Sequence, residues 1–179
     1  MKRISLTAIG KDRPGIVAGV AKVLYEHGCN IEDSTMTILE DEFAIILIMS
    51  APEEMDKDSL EQGLKRAGEE LALTIHTKEI GKESPEKAPH STHLVTVSGY
   101  DKPGIVHKTA CLLAKWNVNI TDLSTKVIHG EGKDAYIMLI EVFVPGDADE
   151  KTIAAALKTL SKGLGVKIEM KPVETYESL

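Results

Sequence analysis

Two short stretches of this 179-residue chain carry residues able to do the same chemistry. GKDRPGIV runs from Gly10 to Val17 and GYDKPGIV from Gly99 to Val106, and six of the eight positions are identical. Each sets an Asp and a Pro-Gly pair at the entrance to a helical pattern. A helix start has N–H groups without internal partners and the positive end of the helix dipole. Both favour a carboxylate or a phosphate. Gly15, Ile16 and Val17 would present such donors, and Gly15 has no side chain to keep a group from the backbone. Asp12 and, further along, Asn30 would supply polar anchors. An anion cradle beside an acidic side chain suits a zwitterion, its carboxylate on the backbone and its ammonium group on Asp12. The same residues also have a purely structural reading. Pro suits a first helical turn, and Asp12 is placed to cap the helix with its carboxylate.

Other chemistries fit less well. A phosphate cradle of the acyl-phosphate hydrolase kind would use an Arg in this turn, but Arg13 becomes Lys102 in the second stretch and the neighbouring Asp repels phosphate. That enzyme, and a ligand-free structural interaction module, are the alternatives to a binding protein. His90 and His93 have metal-like spacing without a Cys, Asp or Glu cluster, and they read as a solvated pair in a linker. His107 reads as a surface residue and Trp116 as a packing residue. No nucleophile–base constellation stands at legible spacing. Neither a cofactor nor a metal is expected.

The elements that must position the two turns repeat as well. Asn30-Ile31 recurs as Asn119-Ile120, and Asp33 as Asp122, all displaced by 89 residues. Beyond a hairpin loop the displacement becomes 93, with Phe43 facing Tyr136 and Leu64 facing Leu157. Within each copy, RISLTAI is a strand candidate. Val17, Val20, Ala21 and Leu24 then form one face of a helix from about Pro14. Gly28, and Asn117 in the second copy, stand where a left-handed C-cap is wanted. NIEDSTMTIL and EFAIILIMSA read as a hairpin. Leu60, Leu64, Ala67 and Leu71 mark a second helix, and LTIHTKEI closes the unit. The order is βαββαβ, twice. The fold class is α+β: two ferredoxin-like units, each a four-stranded antiparallel sheet with two helices on one face. The first unit spans 1–81 and the second 93–179, with 82–92 as a polar linker containing two prolines. FAIILIMS and YIMLIEVFV are apolar on both faces, so the open sheet face is expected to be partly covered by another copy or chain.

The formal net charge is −7, and residues 1–81 hold nine basic against fifteen acidic side chains. Such a surface disfavours direct nucleic-acid binding. The longest apolar run, Phe43 to Met49, is far short of the roughly 20 residues that span a bilayer. No membrane association and no secretory signal are expected. Two lone cysteines without metal or redox spacing suggest a reducing, cytoplasmic setting.

GKDRPGIVAGVAKVLYEHGCNI and GYDKPGIVHKTACLLAKWNVNI each resemble the ACT domain, a small-molecule regulatory module of amino-acid metabolism. The likeness covers nearly the whole chain outside the linker and tail. Two such units without a catalytic domain are similar to stand-alone double-ACT regulators, a group that includes repressors of the glycine cleavage system. The resemblance implies a non-enzymatic, homo-oligomeric protein that binds a small amino acid such as glycine or serine where ACT units pair. It implies control of a protein partner, a transcriptional activator, in place of contact with DNA. It assigns ligand binding to Asp12, Gly15, Ile16, Asn30 and Ile31, and to their mates Asp101, Gly104, Ile105, Asn119 and Ile120.

Overall fold

The computed structural model describes residues 1–81, 90–130 and 134–173. The chain divides into two compact units, each with its own core.

In the first unit, β1 (Lys2–Lys11), α1 (Ile16–Glu26), β2 (Asn30–Leu39), β3 (Glu42–Ala51), α2 (Lys57–Leu71) and β4 (Leu73–Ile80) follow in βαββαβ order. The antiparallel sheet runs β2-β3-β1-β4. Alternation decides its faces. Ile4, Leu6 and Ala8 of β1 and Phe43, Ile45, Leu47 and Met49 of β3 are buried under the helices. Ile16, Val20 and Leu24 of α1 and Leu60 and Leu64 of α2 close the core from above. Residues of opposite parity turn to the open face, where Ile9 and Ile46 stay 53% and 51% exposed.

The second unit repeats the plan with β5 (His90–Tyr100), α3 (Ile105–Lys115), β6 (Asn119–Ile128), β7 (Ala135–Pro145), α4 (Glu150–Leu164) and β8 (Lys167–Pro172). Its sheet runs β6-β7-β5-β8. Leu94, Ile128, Ile137 and Leu139 are among the exposed apolar residues of its open face. Its core admits two buried polar side chains, His93 and Thr109, where the first unit has Ile4 and Val20.

The helix ends explain why Gly28 and Asn117 are exchangeable. Both have positive φ, 67° and 54°. The Gly28 N–H donates to the Tyr25 carbonyl and the Cys29 N–H to Leu24, at 3.0 and 2.9 Å. Asn117 and Val118 donate to Ala114 and Leu113 in the same pattern. This is the Schellman closure, which needs a left-handed residue that Gly or Asn can supply. At the other end of the second helices, Asp56 accepts from the N–H groups of Asp58 and Ser59, and Asp149 accepts from Lys151.

Two expectations from sequence change here. Residues 90–92, read as the end of the linker, belong to β5, because the strand pairs from the rung His90↔Pro145 onward. Residues 82–89 of that linker lie outside the described residues. His93 is not a solvated linker residue. It is 3% exposed, on the helix-covered side of β5 in register with Val142. Its Nε2 lies 3.2 Å from Glu150 Oε2, and Ser91 donates its hydroxyl to the other oxygen of that carboxylate. His93 Nδ1 is buried without a hydrogen-bond partner.

Candidate functional site

Each repeated octapeptide connects the first strand of its unit to the first helix. Its leading glycine is fixed by packing: a Cβ on Gly10 would lie 2.5 Å from the Ala72 carbonyl oxygen, and one on Gly99 2.9 Å from Val166. The turn is then tied to the following hairpin, Asp12 N–H donating to Asp41 O at 2.7 Å and Asp101 N–H to Asp134 O at 3.0 Å. Arg13 reaches across and donates to the Glu70 carbonyl at the end of α2. Sequence reasoning weighed Arg13 only as a phosphate ligand. In the structure it clamps the negative end of a helix.

The helix starts at Ile16, two residues after Pro14. Gly15 and Gly104 occupy the N-cap with φ 96°, a left-handed conformation that glycine tolerates and a helix cannot include. The expectation that Asp12 caps the helix is therefore corrected. A cap must directly precede the first helical residue, and Asp12 stands three positions too early. Among the described residues, no side chain supplies a cap bond to α1 or α3. A Cβ on Gly15 would meet nothing within 4 Å, so the glycine answers to conformation, and the space beside it is open.

The ten residues singled out from sequence do not converge within one unit. Asp12 and Gly15 are exposed, and so are Asp101 and, partly, Gly104. Ile16 and Ile105 are buried with 2% exposure, so only their backbone faces outward at the turn. Asn30 and Asn119 open β2 and β6 and are exposed. Asn30 shares a rung with Ser50, which pairs with Arg3, whereas the turn follows Lys11. Those rungs are eight residues apart on β1, or about 26 Å. Asn30 and the turn therefore lie at opposite ends of the same sheet. Among the described residues, Ile16 and Ile31 both line an apolar crevice of about 60 Å³ between α1 and β2, with Val17, Val20 and Ser34.

The start of β2 has its own construction. A bulge interrupts pairing between Ile31 and Asp33, and the second unit repeats it between Ile120 and Asp122. The extra residue is pinned in both. Arg3 donates to Glu32 at 3.2 Å, and Thr121 donates to Glu141 at 2.9 Å. Sequence periodicity missed these partners, since one extra residue inside a strand leaves no compositional trace.

Electrostatics differ between the two turns. In the second unit, burial and then the negative charge of Asp101 push the Tyr136 hydroxyl up, so it stays protonated and donates to Met138 Sδ at 3.6 Å. Phe43 stands in its place in the first unit and offers no such group. Among the described residues no three His, Cys, Asp or Glu side chains are grouped to hold a metal ion.

Comparison with known proteins bears on both units. The ACT-domain family model matches residues 2–78 and again 91–171. The glycine cleavage system transcriptional repressor of Escherichia coli is 30% identical over 164 residues, covering 90% of this chain and 85% of that protein. A UPF0237 protein of Methanopyrus kandleri is 45% identical over 76 residues, 42% of this chain and 84% of its own length. The crystal structure of an unknown protein from Galdieria sulphuraria superposes with a TM-score of 0.80 at 26% identity, covering 97% of this chain and 99% of that one. With the βαββαβ order, the repeated turn and two matches to one family model in hand, the chain belongs to the ACT-domain family and carries two ACT units.

Proposed function

We propose that this chain is a non-enzymatic regulator that binds a small amino acid, glycine or serine, and through it controls a protein partner in transcriptional regulation of the glycine cleavage system. The observation that carries the reading is the likeness to the glycine cleavage repressor along 90% of the chain, without any further domain between. The local chemistry agrees. An uncapped helix start presents N–H donors to a carboxylate, and the exposed Asp12 or Asp101 stands near for an ammonium group. Because Asn30 and the turn sit at opposite ends of one sheet, a ligand touching both types of residue takes them from different ACT units. Binding then favours one arrangement of units, and that preference is the regulatory signal. The partner is a transcriptional activator and not DNA, in keeping with the net charge of −7. Arg13, the cation that a phosphate cradle would need, is engaged by the Glu70 carbonyl, which speaks against the hydrolase alternative.

A thermal-shift screen of the twenty amino acids tests this. A ligand at 100 times its dissociation constant adds about 2.7 kcal/mol to stability. Calorimetric titration of Asn30→Ala and Asn119→Ala with that ligand should lose about 1–3 kcal/mol of affinity if a buried hydrogen bond to it is removed. Silence toward every amino acid, or unchanged affinity in both variants, would sink the site as described; turnover of an acyl phosphate would replace it with the enzyme.

A further inference from the structure

β6 is an edge strand. It pairs with β7 on one side and, among the described residues, with no strand on the other. It runs ten residues without a proline, and most of them are exposed. An uncovered edge of that length is a template for another strand unless its side chains forbid pairing. From Asp122 onward its even-numbered residues lie on the open face, because Ser124 shares a rung with Leu139 and Lys126 with Ile137. Asp122 and Lys126 are the charged residues of that stripe, and Ser124 lies midway between them. Asp122 shares its rung with Glu141 of β7. Two carboxylates placed opposite each other repel. Among the described residues, neither Asp122 nor Lys126 has an ion-pair partner to offset this. The first unit lacks the pattern. β2 carries Asp33 and Thr37 at these positions, and Ile48 stands where β7 has Glu141.

We propose that β6 pairs antiparallel with β6 of a second copy of this chain, about a two-fold axis at Ser124. In that register Ser124 stands opposite its own copy, and residues equally far to either side face each other. Asp122 meets the partner's Lys126, and Lys126 meets the partner's Asp122. The two contacts are identical by symmetry. Each brings a cation to the rung where Asp122 and Glu141 repel. A lysine on an edge strand ordinarily deters association. Here the aspartate on the same stripe turns it into a selector for one register. A slip of two residues, the smallest that keeps both open faces on one side, loses both contacts. β2 set against its own copy in the same way would place Asp33 opposite Thr37 and gain no charge contact. The occupant is therefore a second copy of this chain, joined through its second unit.

Sedimentation of the intact chain over a dilution series reads the dimer constant, and circular dichroism checks that each variant is folded. The chain should dimerise, and added salt should weaken the dimer. Lys126→Glu sets a carboxylate against Asp122 in both contacts and should weaken it about tenfold. Asp122→Lys combined with Lys126→Asp exchanges the charges and should return the constant to within about threefold of the wild type. Thr37→Glu, the matching change in β2, should leave it unaltered. Ser124→Cys, in a chain also carrying Cys29→Ser and Cys111→Ser, should link into a covalent dimer on mild oxidation, whereas Thr35→Cys in the same background should not. A monomer at every concentration, a dimer that Lys126→Glu leaves intact, or a charge exchange that fails to restore one overturns the pairing. Linking through Thr35→Cys in place of Ser124→Cys would assign the edge to β2 and overturn it as well.

Discussion

Replacing His93 with isoleucine should stabilise the second unit, although it removes a polar partner of Glu150. The position already holds Ile4 in the first unit, on the same side of the same strand, buried to a similar degree. The two side chains are close in volume, so neither a cavity nor a clash is introduced. A stranded polar atom like Nδ1 costs about 1–3 kcal/mol in a core, and the substitution abolishes that cost. Against this stands the loss of the bond from Nε2 to Glu150. That carboxylate is 50% exposed and keeps its bond from Ser91, so water screens the pair and its worth is about 1 kcal/mol or less. The balance favours isoleucine by about 1 kcal/mol, or about 4–8 °C in melting temperature for a unit of this size. Trp116 is the only tryptophan and belongs to the second unit, so its fluorescence in a urea titration reports on that unit alone. A loss of more than about 1 kcal/mol on substitution would mean that Nδ1 is satisfied, by water for instance, and that the histidine is a net contributor.

Asp12→Ala and Asp101→Ala should leave stability within about 0.5 kcal/mol of the wild type in denaturant titration, since neither caps a helix. Asp56→Ala, which removes the cap of α2, should cost about 1 kcal/mol. Gly15→Ala should destabilise by about 1–2 kcal/mol through left-handed strain alone, because the site has room for the methyl group; unchanged stability would show that the turn relaxes. The hydroxyl of Thr152, with the backbone N–H groups of the first turn, holds the Asp149 carboxyl below the usual carboxylate range. A lowered value in the folded state means stability that is complete above the ordinary carboxylate range and is lost as pH falls through the lowered value. Asp149→Asn should therefore flatten the acid limb of the stability–pH curve, and an unaltered limb would assign it to other carboxyls.

The elements were legible because the repeat states them twice. NIEDSTMTIL, EFAIILIMSA and LTIHTKEI coincide with β2, β3 and β4 to the residue. Their alternation or continuous apolar runs end at turn residues, so the boundaries are written in composition. The helix start was misjudged by two residues for a physical reason. Pro14 fits a first turn, but Gly15 at φ 96° interrupts the helical path and delays it to Ile16. The candidate site was legible as residue types and not as a place. Nothing in linear spacing reveals that Asn30 lies a full sheet length from Asp12, because that separation arises from antiparallel register. His93 escaped for a related reason: two histidines beside a proline-containing polar segment look solvated until strand pairing turns one of them under a helix.

The two helices of each unit start differently, and this bears on how a binding experiment behaves. α2 and α4 carry their own carboxylate at the N-terminus, whereas α1 and α3 begin at a bare glycine. If the proposed amino-acid ligand seats its carboxylate on those backbone amides, a small buffer anion such as chloride should weaken its binding. Apparent affinity would then be a property of the salt as well as of the protein, and a titration at low and at high chloride should give different values. Amide exchange offers the same contrast from within one chain. On that reading the first-turn amides of α1 and α3 should exchange quickly and be slowed by the ligand, while those of Asp58, Ser59 and Lys151 should be slow from the outset.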